Sequence, residues 1–444
     1  MPRLLARPLV FVAAVIGMST LGAQSVSAHN SQETSSPASG EVLAASPAEW
    51  TVGFDKSVPL ASATGEVING TGVRTALAAP RHGVTDNIIV FAMPPDLLGS
   101  ITARWRLVGV DGHVISGRIP FSVNASAAIA PTVPMDVAPV APVAVDSEET
   151  NEPIPQPIRH VNTLLNYLSL MAFAGVFATE RFVAQGTLSL VLSRRFALVG
   201  SIGLAVTSLV QMLIFVDDIG LEGRSWFAEF GDALSTTPGG MLFAKVVIGI
   251  VFVAFARGLV RNGTFSEART RLLAAAGLMY LVALSYVGHS RSEGAPWLGI
   301  PVDMAHTAAS AVWLGGLSSL VFIVIPRVEI EPAVAAFDRF GYIAERAVAV
   351  LVVTGVIQTL RLHTNPLSML TNTHGLLLVL KILMVALMLW LAARNRRSLL
   401  ERKRRETTRP NVLRRLLIRA SLLETAIGGA VFAVTSVLVA TTPT

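Results

Sequence analysis

Imidazole, carboxylate and thioether are the metal-binding side chains on offer here, because the 444 residues include eight histidines and 12 methionines but no cysteine. The lack of thiols excludes disulfides, thiolate metal sites and cysteine nucleophiles. It also suits a chain that meets redox-active metal outside a cell, where a free thiol oxidises. His29, His82 and His113 lie in a polar N-terminal stretch, whereas His160, His289, His306, His363 and His374 lie at or near the ends of long apolar segments. Ionisable groups in such segments are functional candidates by default. Asp303 and His306 are three apart and share a helix face. His289 closes the preceding apolar segment and a short connection brings it near them. These three form the candidate metal site of the apolar half, with His363 and His374 as further candidates, since imidazole is the commonest metal ligand. The competing reading is a set of interfacial histidines that hydrogen-bond lipid headgroups.

Met212, Met241 and Met369 fall near the same ends, and Met171, Met279, Met384 and Met388 lie deeper in the apolar segments. Thioethers suit Cu(I), and imidazole suits copper in both oxidation states, although methionine in an apolar helix also serves simply to pack. In the polar stretch, Asp111 and His113 of Val110-Asp111-Gly112-His113 point the same way if the backbone is extended. Arg3 and Arg7, the apolar run Leu9 to Ile16 and the small residues up to Val26-Ser27-Ala28 read as a signal peptide over residues 1–28. Cleavage there makes His29 the new amino terminus, whose amine and imidazole chelate one ion. Asp111 and His113 would complete three nitrogens and an oxygen, a tetragonal set that favours Cu(II). The alternative is that Asp-Gly-His is merely a turn between strands.

The elements that must position these groups follow from composition. Only 14% of residues are charged and 52% are hydrophobic, against about a quarter charged in soluble domains, so much of the chain faces lipid. The formal charge of +6 sits beside apolar segments rather than in a nucleic-acid-binding face, so no nucleic-acid partner is expected. Residues 29–123 alternate in short runs, such as Glu49–Phe54, Asn87–Phe91, Ile101–Leu107 and Arg118–Val123, separated by Gly, Pro, Asn and Asp clusters; this predicts a small β-sandwich or barrel. Residues 124–159 are Pro- and Ala-rich and read as an extended linker. Residues 160–444 hold eight apolar spans, near 161–182, 196–216, 239–260, 270–289, 303–325, 341–361, 375–393 and 418–440, each enough for a ~30 Å hydrocarbon core. Basic residues follow the odd-numbered spans (Arg181, Arg194 and Arg195; Arg257 to Arg271; Arg327 and Arg339; Arg394 to Arg415), which puts those loops in the cytoplasm. The expected protein is multi-pass in the cytoplasmic (inner) membrane, with the β-domain and the C-terminus outside.

A parallel four-plus-four repeat is visible. Thr237 to Gly239 with Lys245 matches Thr373 to Gly375 with Lys381. Thr207 and Gln211 match Thr354 and Gln358, and His160 pairs with His306. Lys245, Lys381, Glu345 and Glu424 are charges inside spans, expected to snorkel or pair internally. No nucleotide-binding motif is present, so any transport would be passive.

These residues carry a resemblance. The N-terminal part resembles CopC, through His29, Ser36 to Gly40, Phe54 to Val58, Trp105-Arg106 and Asp111 to His113. The resemblance implies an immunoglobulin-like fold and a Cu(II) site with His29 as a histidine brace, assisted by Asp111 and His113. The Met-rich Cu(I) site of that family is not carried over, because only Met93 and Met135 are available. The apolar part resembles CopD, through Gly288-His289, Asp303 to His306, Ala311 to Gly316, Thr354-Gly355, Gly375 to Lys381 and Glu424; His374 departs from it, standing where an aromatic is expected. A CopC–CopD fusion implies no enzymatic activity but copper binding outside and copper transport, inward, across the membrane. Its partners would be copper ions, as Cu(II) in the β-domain and Cu(I) or Cu(II) among the helices, together with the lipid bilayer; copper chaperones on either side are unknown. The rivals are a membrane-tethered copper buffer and a haem-bearing membrane redox protein with paired histidine ligands.

Overall fold

The computed structural model describes residues 32–109, 114–124, 154–184, 191–219, 225–262, 267–287, 296–362, 373–404 and 410–439. They fall into two compact units: the helices of Ile154–Leu213 and Met241–Thr444, and an N-terminal sandwich grouped with Ile214–Gly240.

The sandwich is two sheets. One has the order β1 (Gln32–Ser36), β3 (Glu49–Phe54), β7 (Ile88–Ala92) and β6 (Arg81–His82). The other runs β2 (Val42–Leu43), β9 (Val114–Val123), β8 (Gly99–Val108), β4 (Thr64–Asn69) and β5 (Arg74–Ala76). All pairs are antiparallel except β2 with β9. The period-two pattern decides which face is buried. Trp50, Val52 and Phe54 of β3 meet Ile101, Ala103, Trp105 and Leu107 of β8 in one core, while Arg104 turns outward to Glu66. The four strands expected from alternation are present; β2, β5 and β6 are two or three residues long and β1 carries an irregular register, while β4 (Thr64–Asn69) is a regular strand that the sequence reading did not single out. His82 sits on β6 with its Nε2 2.9 Å from the Val58 carbonyl, a structural bond. Trp50 is fully buried, stacks on Phe91 and donates from Nε1 to Ser35 Oγ at 3.0 Å. Trp50→Ala is therefore expected to cost this domain about 3–5 kcal/mol, read as a lower unfolding midpoint in denaturant.

Among the described residues, eight helices are long and apolar enough to cross a membrane. Apart from a single turn at Ile325–Arg327, the described helices in chain order are α1 (Gln156–Ala178), α2 (Val191–Ile219), the short α3 (Trp226–Ser235), α4 (Thr237–Asn262), α5 (Glu267–Ser285), α6 (Pro296–Ser319), α7 (Ile330–Leu362), α8 (Thr373–Arg404) and α9 (Pro410–Leu438). All but α3 are the spans, and each overlaps one expected from hydropathy. Thr354-Gly355 lies within α7. Helix α3 is capped by Ser225 and exposes Trp226 and Phe227, as an aromatic belt residue does at a membrane surface.

Helices α1 and α6 touch through backbone. A Cβ on Gly175 would lie 2.2 Å from the Gly315 carbonyl carbon, and one on Gly315 would lie 2.4 Å from the Met171 oxygen. Small residues permit this approach where lipid supplies no hydrophobic drive between helices. Just beyond the crossing each helix widens into a π-helical segment, Thr179–Ala184 after α1 and Leu320–Val324 after α6. Arginines satisfy carbonyls there: Arg339 Nε donates to Val183 and Arg327 to Phe322, both at 2.7 Å.

Candidate metal centre

The backbone crossing sets the register of the repeat. His306 stands nine residues before Gly315, and the residue nine before Gly175 is Asn166. The side chains agree: His306 Nδ1 is 2.9 Å from Thr354 Oγ1, and Asn166 Nδ2 donates to Thr207 Oγ1 at 2.8 Å. The counterpart of His306 is thus Asn166, not His160 as the sequence suggested.

Asp303 and His306 do share a face of α6, and α7 answers with two residues one turn apart. Gln358 Nε2 donates to Asp303 Oδ1 at 3.2 Å while Thr354 takes His306. The network assigns the histidine tautomer. The Thr354 hydroxyl gives its proton to the Val350 carbonyl at 2.6 Å, so it accepts from Nδ1–H of His306. The lone pair then resides on Nε2, which takes no hydrogen bond among the described residues. An imidazole fixed through one nitrogen with the other left open is the arrangement of a metal-ligating histidine. A Cβ added to Gly355 on α7 would lie 4.0 Å from Cε1 of the ring, so the α7 backbone flanks the imidazole without crowding it.

The equivalent position in the first half has no such opening. Asn166 also donates to Tyr280 at 2.9 Å, Ser208 lies 3.2 Å from the same hydroxyl, and Asn162 donates to the Thr207 carbonyl at 3.1 Å. Lys245 is fully buried and donates to Gln211 at 2.5 Å. Being fully buried it does not snorkel, and among the described residues it forms no ion pair, against the sequence expectation. With amides and hydroxyls bonded to one another and, among the described residues, no carboxylate or imidazole bonded to them, this cluster is a structural counterpart of the site rather than a second copy. Asn166 and Tyr280 were missed from sequence; the signal was Asn162 and Asn166, two amides one turn apart within an apolar span.

His289 and His363 lie outside the described residues. His374 is buried in the first turn of α8. His160 is also buried, and neither ring nitrogen has a hydrogen-bond partner among the described residues. No group of three or more His, Cys, Asp or Glu gathers among the described residues, so Asp303 and His306 make a two-residue edge. Met171, Met384 and Met388 are buried in one cluster, but Met279 is 61% exposed and does not face the interior. Glu345 pairs with Arg396 on the exposed side of α7.

In the sandwich, His29, Asp111 and His113 lie outside the described residues, but their flanks are placed. Gly117 opposes Trp105 across the β8–β9 pair, and its missing Cβ makes room for the indole. Trp105 Nε1 then donates to Gln32 Oε1 at 2.9 Å, tying the start of β1 to β8. The β8–β9 pair closes at Val108 opposite Val114.

Comparison with known proteins places these units. Residues 32–124 match the CopC domain and residues 334–438 match copper resistance protein D, CopD. The copper transport protein CutJ of Bacillus subtilis (strain 168) is 25% identical over 394 residues, 84% of this chain and 68% of that one. The inner membrane protein YebZ of Escherichia coli (strain K12) is 27% identical over 289 residues, 63% of this chain and 96% of that one. Among solved structures, CopC from Methylosinus trichosporium OB3b matches at 22% identity with a TM-score of 0.20, covering 22% of this chain and 94% of that one. PcoC, a methionine-rich copper resistance protein from Escherichia coli, matches at 20% identity and a TM-score of 0.20, covering 22% of this chain and all of that one. The polypeptide thus joins a CopC domain and a CopD domain in one chain.

Proposed function

We propose that this protein captures copper with its N-terminal domain and passes the ion inward across the cytoplasmic membrane through its helices. The observation that carries the reading is the Asp303–His306 edge, with an open Nε2, inside a chain that joins CopC and CopD domains. A relative named for copper transport that spans most of the chain supports it. His289 would complete the edge as a third ligand at the outer mouth, with His160, His363 and His374 near it. The capture site would be His29, Asp111 and His113 on Cu(II). Gln32 is hydrogen-bonded to Trp105, and the three residues from Gln32 back to His29 reach about 10 Å. The three strand residues from Trp105 to Val108 cover a similar length, which brings the terminus within reach of the β8–β9 connection. In this reading both ends lie outside, an orientation supported by the basic loops after the odd-numbered spans, and the membrane potential or cytosolic chelation drives the ion.

Copper content of cells making the full chain tests this. More copper than in cells without it supports import, less reverses the direction, and an unchanged content makes the protein a tethered buffer. Capture has its own test in purified protein with the mature terminus. His113→Ala is expected to lower Cu(II) affinity by about 100-fold or more, and one residue added ahead of His29 should do likewise, because the amine then leaves the chelate ring. Unchanged affinity in both removes the proposed site.

A further inference from the structure

Helix α8 carries its chemistry on one narrow face. From His374 to Ala393 it is Leu, Ile, Val, Ala and Trp, apart from Gly375, His374, Lys381, Met384 and Met388. His374, Met384 and Met388 are buried, whereas Leu376, Leu380, Ile382, Leu383, Leu387 and Trp390 are exposed, as side chains facing lipid would be. His374, Lys381, Met388 and Asn395 recur every seventh residue. A straight helix drifts only ~20° per heptad, so the four share one stripe. At 1.5 Å per residue the stripe is about 30 Å long, the depth of the hydrocarbon core. It begins at His374, buried in the first turn of α8. Midway, Met384 and Met388 share a buried cluster with Met171, Trp313, Ile427 and Val431 of the packed helices.

The far end of the stripe reaches a buried carboxylate. Asn395 Nδ2 donates to Glu424 Oε1 on α9 at 2.8 Å, and Glu424 is only 6% exposed. Among the described residues this amide is its hydrogen-bond partner and no Lys or Arg is paired with it. Ser421, on the same face of α9 one turn earlier, is fully buried with its hydroxyl unpartnered among the described residues. A carboxylate with a single amide partner in hydrocarbon is costly, and such groups mark ion pathways. A polar clamp between α8 and α9 explains Asn395 and Glu424 but not Lys381 and Met388 in register with them, nor Met384 buried one turn before Met388.

We propose that copper crosses as Cu(I) along this face of α8, with Met384 and Met388 as its ligands at mid-span and Glu424 with Ser421 as the station from which it leaves. This rests on the transport reading above. Thioethers select the monovalent ion, and an external one-electron donor supplies it in that state. Two weak stations fit conduction, since an ion must leave each site as readily as it arrives.

The test uses the full chain purified into sealed lipid vesicles, with copper kept reduced by ascorbate outside. Met384→Leu/Met388→Leu conserves volume and should slow initial copper uptake by about tenfold or more, with Cu(I) binding by the His306 site and the thermal midpoint unchanged. Glu424→Gln, which keeps an acceptor for Asn395, should slow it equally. Uptake at the wild-type rate in either variant overturns the track. Should the wild type itself move no copper, the transport reading fails, and stoichiometry decides the track alone. One more Cu(I) bound per chain in the wild type than in the double variant supports it, and equal numbers overturn it.

Discussion

Replacing His306 with alanine is expected to reduce copper uptake by about 100-fold or more, and replacing its partner Thr354 with valine by about 10–100-fold. The difference follows from what each residue does. His306 offers the open Nε2, so its loss removes a ligand. Thr354 accepts from Nδ1–H while its own proton is committed to the Val350 carbonyl. Valine keeps the shape but frees the imidazole to change tautomer and rotate, which raises the copper concentration for half-maximal uptake more than it lowers the maximal rate. Asp303→Asn keeps an acceptor for Gln358 and removes the charge, so it should also act on copper affinity. Equal rates in His306→Ala and wild type would remove the α6–α7 edge from the mechanism.

The second large effect is on assembly. Gly315→Leu places a side chain where a Cβ alone would sit 2.4 Å from the Met171 carbonyl oxygen and 2.8 Å from the Gly175 Cα. These are backbone atoms and cannot rotate away, so α1 and α6 must separate. Overpacking of this kind costs about 1–3 kcal/mol or more, and here it also displaces the π-helical segments and the His306 turn. The expected result is a lower thermal midpoint and loss of monodisperse protein in detergent. Gly277→Ala is the control: a Cβ there meets nothing within 4 Å, and helix propensity makes the change neutral or mildly favourable. A wild-type midpoint for Gly315→Leu would show that the α1–α6 crossing is not needed.

The sequence revealed most where a pattern had one physical cause. Lipid exposure forces about twenty apolar residues per span, so all eight helices were legible. In the sandwich, β3 and β8 were legible because one face is core and the other solvent. Short strands such as β2 and β6 hold two residues each and carry no period to read. The face shared by Asp303 and His306 followed from helical spacing alone. Their answering pair, Gln358 and Thr354, was visible only as part of a repeat, because pairing across helices depends on register. That register was mispaired at His160 because a histidine match outweighed Gly175 and Gly315, whose role is backbone contact and leaves no chemical signature. Met279 shows the same limit: within an apolar span, sequence does not say which methionines face lipid.

The most direct measurement is copper movement into sealed vesicles containing the purified full chain, compared with vesicles containing His306→Ala protein and with protein-free vesicles. Saturable uptake is expected with wild type and near-background uptake with the variant. Wild-type vesicles that fill no faster than protein-free ones would contradict that expectation.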